Sequence, residues 1–78
     1  MPVRILLADD LSFMRMVQKE ILTERGYLVV GEAADGLEAV MKYKELNPDV
    51  VILDITMPNM NGLEAMKKIL EIDPDAKI

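Results

Sequence analysis

Val50-Val51-Ile52-Leu53-Asp54-Ile55-Thr56-Met57-Pro58 is the stretch that decides the fold. Four apolar residues, three of them β-branched, run into a carboxylate without polar alternation. Both faces of such a segment are expected to be buried, which predicts a central parallel strand. Pro48 and Asp49 mark its start, and Pro58 halts the chain's extended course beyond Asp54. In open α/β sheets, ligands bind at the carboxyl ends of the strands. Position alone therefore makes Asp54 a candidate site residue.

Upstream, Val3 to Ala8 is a second almost wholly apolar run, and it also ends in carboxylates, Asp9-Asp10. Ser12 to Arg25 reads as a helix, with Phe13, Val17 and Ile21 at four-residue spacing and Met14 and Leu22 widening the apolar stripe. Arg15, Gln18, Lys19 and Arg25 fall on the other side, and Gly26 suits a left-handed C-terminal cap. Tyr27 to Glu32 reads as a strand. Asp35 and Glu38 look like a capping box for a helix over Leu37 to Leu46, ended by Asn47-Pro48. Its apolar face is read as Leu37, Val40, Tyr43 or Met41, and Leu46. Downstream of the central run, Asn61 and Glu64 repeat the capping pattern ahead of a helix over Gly62 to Ile72. Leu63, Met66, Ile69 and Leu70 form its stripe, and Pro74 ends it. Ala76-Lys77-Ile78 looks like the opening of a fourth strand. The order β-α-β-α-β-α-(β) demands parallel pairing with right-handed crossovers.

Composition narrows the function. Seventy-eight residues suffice for one small domain. A domain of this size buries only about 60–65% of the surface of its unfolded chain, so marginal stability is expected. A net charge of −5 argues against a nucleic-acid surface. No run of like charge exceeds two residues, so no polybasic membrane patch is present. The absence of cysteine removes disulfides and thiolate metal sites and suits a reducing, cytoplasmic setting. The absence of histidine removes the commonest general base and zinc ligand. No apolar run is long enough to span a membrane.

If the two apolar runs are neighbours in a parallel sheet, about 4.8 Å apart, Asp9, Asp10 and Asp54 converge. Clustered carboxylates repel unless a cation joins them, and an all-oxygen site suits Mg²⁺ or Mn²⁺. A metal-assisted phosphoryl site is the corresponding hypothesis, with one aspartate as ligand or nucleophile. The simpler reading is that an aspartate after a strand caps a helix or turn. Asp35, Asp49, Asp73 and Asp75 are read that way, and Asp10 could begin the first helix. Met14, Met41 and Met66 are read as core filler, and Met16, Met57 and Met60 as exposed.

These residues resemble the receiver domains of bacterial two-component response regulators. Asp9-Asp10 looks like the family's acidic pair, and Asp54-Ile55-Thr56-Met57-Pro58 with Met60 and Gly62 looks like its D-x-x-M-P-x-M-x-G phospho-acceptor stretch. Glu32 to Ala39 is similar to the segment entering the second helix, and Phe13-Met14-Arg15 resembles the chemotaxis-type, CheY-like regulators. The resemblance implies a flavodoxin-like, three-layer α/β/α fold with a parallel sheet. It also implies the strand order 2-1-3-4-5 known for that fold, an order the spacing does not give. It implies that Asp54 accepts a phosphoryl group from a histidine kinase. Mg²⁺ would be held by Asp54, Asp10, Asp9 (through water) and the Thr56 backbone carbonyl. A flagellar motor switch protein is the implied output partner in the full-length family. No enzymatic activity is implied beyond phosphorylation and dephosphorylation of the acceptor itself.

The family continues through a fourth strand ending in Ser or Thr and a fifth ending in Lys, roles for which this sequence offers no residue. Residues 1–78 are accordingly read as a partial receiver domain, truncated to three βα units and the start of a fourth strand. An alternative is an engineered or truncated half-domain that works as a self-associating unit without phosphorylation. Without the later strands, Val50–Leu53 is expected to be a nearly bare, hydrophobic sheet edge that pairs with another copy or aggregates. A metal-dependent phosphohydrolase of the aspartyl-phosphate type is a weaker fit, because Thr56 stands where that class wants a second acid.

Overall fold

The computed structural model describes residues Met1–Ile78. Three strands, β1 (Arg4–Ala8), β2 (Leu28–Ala33) and β3 (Val50–Leu53), alternate with three helices, α1 (Ser12–Glu24), α2 (Gly36–Leu46) and α3 (Gly62–Ile72). The sheet is parallel throughout, in the order β2-β1-β3. The fully apolar run Ile5 to Ala8 takes the centre, where both faces are covered, and is buried along its length. Successive side chains of a strand point to opposite faces. Leu6 and Val51 meet Tyr43 of α2 and Ile69 of α3 in one core layer, which Val40, Leu46, Leu53 and Ala76 extend. Ile52 points the other way, towards Ile21 and Leu22 of α1.

The helix boundaries follow the capping chemistry read from the sequence. The Asp35 carboxylate accepts from the Glu38 amide at 2.8 Å, and the Asn61 side chain from the Glu64 amide at 2.9 Å. The reciprocal half of the first capping box is not made; Glu38 pairs instead with Lys42, one turn on, at 3.4 Å. Asn47 and Gly26 take left-handed backbone at φ 48° and 86°, where α2 ends and just after α1 ends. Asp73 has the turn role expected of it, accepting from the Asp75 amide at 3.0 Å, and it also accepts from the Tyr43 hydroxyl; Asp49 instead reaches across the fold to accept from the Arg4 amide.

The structure orients α1 differently from its apolar stripe. Phe13 is 66% and Ile21 51% exposed, and no residue of the helix is fully buried. The face turned to the sheet carries Arg15, Gln18 and Leu22 with Val17 at its margin, at 3- and 4-residue spacing. β3 is correspondingly buried on one face only, since Val51 is inaccessible while Ile52 is 37% exposed. A shallow groove of about 150 Å³ runs between α1 and β3, lined by Gln18, Ile21, Leu22 and Ile52. Small residues carry more of the α2 and α3 cores than the stripes suggest. Ala39 and Tyr43 are buried in α2 and Ala65 and Ile69 in α3, whereas Leu37, Met41 and Leu63 are exposed. Met14 and Met41 are therefore surface residues, not core filler.

The outer edge of β3 is less bare than expected. The Val51 amide donates to the Lys77 carbonyl at 2.9 Å, and Ala76 packs on the core. Residues 76–78 lie along β3 without forming a regular strand.

Tyr43 ties α2 to the end of α3 through its 2.7 Å bond to Asp73. Burial, and then the neighbouring Asp73 carboxylate, push its hydroxyl up to about 12. The folded state thus favours the protonated phenol. The resulting stability is complete below pH 10 and is lost as pH rises towards 12. Tyr43→Phe is expected to lower stability by about 1 kcal/mol in urea titration at pH 7. The same variant is expected to lose the alkaline fall in stability expected of the unaltered chain above pH 10. An unchanged alkaline limb in the variant would contradict the assignment.

Candidate functional site

Parallel pairing of β1 with β3 brings the two acidic strand ends together. The ladder sets Ala8 opposite Leu53, and the Asp54 amide continues it by donating to the Ala8 carbonyl at 2.9 Å. Asp9, the next residue of β1's exit, donates its own amide to the Ala33 carbonyl of β2 at 3.0 Å. Its carboxylate accepts from the Leu11 amide at 3.0 Å, closing a tight turn over Asp10. As a result, carboxylate oxygens of Asp9, Asp10 and Asp54 all lie within 4.8 Å of one another. Asp9 is 7% exposed, Asp10 is exposed, and the Asp54 carboxylate reaches solvent.

The alternative that Asp10 merely begins α1 does not hold. The N-cap of α1 is Leu11, and no side chain caps that helix. None of the ion pairs of the structure includes Asp9, Asp10 or Asp54. Three carboxylates thus share one corner of the sheet without a cationic side chain among them. Oxygen donors alone, partly open to water, fit a hard cation that keeps some of its hydration, as Mg²⁺ does.

The loop behind Asp54 is pinned from several sides. Met57, read from sequence as exposed, is 7% exposed and packs among Ala8, Ala33 and Ala39, with Leu53 alongside. Alanines from β1, β2 and α2 leave a slot that one long flexible side chain fills. Asn59, in left-handed backbone at φ 66°, donates its side-chain amide to the Asp35 carboxylate at 2.8 Å. The Glu38 amide and then the Asn59 amide hold the Asp35 carboxyl below its ordinary range. The Gly36 amide donates to the Met60 carbonyl at 2.9 Å, fastening the start of α2 to the same loop. Thr56 lies in this loop two residues beyond Asp54, and its carbonyl accepts no hydrogen bond from the chain.

Sequence reasoning misses two supports of the site, Met57 and Arg15. The apolar stripe of α1 places Arg15 on the solvent side. Instead its guanidinium donates to the Asp9 carbonyl and, at 3.2 Å, to Glu32. A cation five to six residues past an acidic pair is the available signal, but its direction depends on how the helix is turned.

Comparison with known proteins agrees with this geometry. The response regulator receiver domain family matches residues 5–78. The chemotaxis protein CheY of Thermotoga maritima is 60% identical over 75 residues, covering 96% of this chain and 62% of CheY. The protein-glutamate methylesterase/protein-glutamine glutaminase of the same organism is 55% identical over 60 residues, covering 76% of this chain and 17% of that protein. The response regulator TrrA of T. maritima, solved in complex with Mg²⁺ and BeF, superposes with a TM-score of 0.93 at 45% identity. That superposition covers 100% of this chain and 66% of TrrA. The chain thus spans about three-fifths of the length of the CheY it matches.

Gly62, the first residue of α3, has no room for a side chain, since an added Cβ would lie 2.1 Å from the Asp54 carbonyl oxygen. Gly62→Ala is expected to displace the end of β3 or the helix and to lower stability by about 3 kcal/mol in chemical denaturation. A loss below about 0.5 kcal/mol would contradict this close approach.

Proposed function

The chain belongs to the response regulator receiver domain family, and from that membership we propose that Asp54 is the residue that accepts a phosphoryl group in two-component signalling. The observation that carries the proposal is the uncompensated cluster of Asp9, Asp10 and Asp54 at adjoining strand ends. Two of its members, Asp9 and Asp10, lie on one strand exit, and Asp54 faces them from the next strand.

In this reading an Asp54 carboxylate oxygen attacks the phosphorus of a phosphohistidine. A P–O bond forms as the P–N bond breaks, leaving an acyl phosphate on Asp54, while the departing imidazole takes a proton from solvent. Asp9, Asp10, Asp54 and the free Thr56 carbonyl would hold Mg²⁺. Once bound, the ion offsets the negative charge of the carboxylates and of the incoming phosphoryl group. TrrA, whose solved complex contains Mg²⁺ and BeF, supports that choice of ion. Backbone bonds from Asp9 and Asp54 to neighbouring strands keep the nucleophile beside Asp9 against their mutual repulsion.

The donor in this reading is a histidine kinase of the cytoplasm, and the chemotaxis relatives favour a chemotaxis-type pathway. The module is a signalling acceptor and at most catalyses the turnover of its own aspartate. No helix of the structure is long and apolar enough to cross a membrane.

Incubation with acetyl phosphate and Mg²⁺, followed by intact mass spectrometry, tests the assignment. One phosphoryl group per chain is expected, absent in Asp54→Asn and after chelation, with Asp10→Ala slowed about tenfold or more. Phosphorylation that persists in Asp54→Asn would overturn it. In metal-free buffer Asp54→Asn should also be more stable by on the order of 1 kcal/mol, because one of three repelling charges is gone. A thermal melt reads that difference.

A further inference from the structure

We infer that Arg15 is a positioning residue for the acidic pair: by holding the Asp9 carbonyl it fixes how Asp10 leaves β1, and so sets the affinity of the cluster for a divalent cation. The inference rests on the proposed metal site and extends it to a side chain that touches no carboxylate of the cluster.

Asp10 has no hydrogen bond of its own to the rest of the chain, through either backbone or side chain. Its orientation is therefore set by the peptide units on either side. On the far side, the Leu11 amide is held by the Asp9 carboxylate. On the near side, the Asp9 carbonyl and the Asp10 amide share one planar peptide. Arg15 Nη1 donates to that carbonyl. With the Asp9 amide already bonded to Ala33, the Arg15 contact leaves little freedom in the plane from which Asp10 departs.

The guanidinium is itself held. Its Nε lies 3.2 Å from Glu32 Oε1, and Lys19 Nζ lies 3.6 Å from the other oxygen of the same carboxylate. The Arg15 side chain is only 17% exposed. Glu32 thus anchors Arg15 and takes up its charge, so the guanidinium orients Asp9 without forming an ion pair with the cluster. This division of labour needs arginine, which can donate from Nε and Nη1 in different directions at once.

Two simpler roles predict different results. If Arg15 acted only as a nearby positive charge, its removal would tighten cation binding. If it only braced α1 against β2, its removal would lower the melting temperature and leave affinity alone. Positioning predicts weaker binding.

Mn²⁺ titration followed by electron paramagnetic resonance of the free ion separates these cases on the full chain. Arg15→Ala and Arg15→Gln are expected to weaken Mn²⁺ binding about tenfold. Arg15→Lys, which keeps the charge on a single donor nitrogen, is expected to recover part of the loss. Equal or tighter binding by Arg15→Ala overturns the inference. Should that variant fail to fold, Arg15→Gln, which preserves side-chain bulk, decides on the same criterion. Asp10→Ala serves as the reference for the site itself. If the unaltered chain binds no Mn²⁺, or Asp10→Ala binds as well as it does, the metal reading fails and this inference with it. If binding depends on Asp10 but not on Arg15, only the role of Arg15 is lost.

Discussion

Repulsion among Asp9, Asp10 and Asp54 is the constraint around which the carboxyl end of the sheet is built. Three carboxylates within 4.8 Å of one another would drift apart on flexible loops. Here Asp9 and Asp54 are held where they leave β1 and β3, and Asp10 is carried by the peptide that follows Asp9. The Asp54 amide is bonded to Ala8 and the Asp9 amide to Ala33, so the acids leave adjoining strands from fixed points. Solvent, and in the proposed function a divalent cation, would then offset the repulsion. Absence of a cationic side chain from the cluster keeps that demand open.

A second set of contacts fixes the loop beyond Asp54. A buried methionine, an asparagine in left-handed backbone and Gly36, which has no room for a Cβ, hold the loop against α2, and Gly62 seats the start of α3 on the Asp54 carbonyl. These contacts couple the loop after β3 to the starts of α2 and α3. Gly36 and Gly62 are backbone approaches, and Met57 is a packing plug. Asp35 serves both as the cap of α2 and as the anchor for Asn59. This arrangement keeps Asp54 in place while leaving one side of its carboxylate open to solvent.

Much of this is legible in the sequence because it rests on local rules. Apolar runs without alternation mark β1 and β3, and the carboxylates at their ends mark the site. Asp35 and Asn61, each three residues before a glutamate, mark the starts of α2 and α3. What fails depends on tertiary context. The Phe13–Val17–Ile21 stripe of α1 looks like a core face, but the helix turns Arg15, Gln18 and Leu22 to the sheet. A long arginine can lay its methylene stem along apolar surface while its head reaches a carbonyl, so hydropathy mis-assigns it. Met57 is misplaced by sequence alone because its slot is made by Ala8, Ala33 and Ala39, which come from three separate elements. The β2-β1-β3 order comes from the family resemblance, since spacing alone does not say which strands are neighbours.

The central claim is that Asp9, Asp10 and Asp54 form one cation-dependent phosphoryl site. Fluorine-19 NMR of the chain with beryllofluoride, a phosphoryl mimic, tests it most directly. A bound fluoride signal is expected only when Mg²⁺ is present, and it should vanish in Asp54→Asn. A bound signal without Mg²⁺, or one that survives the loss of Asp54, would contradict the claim.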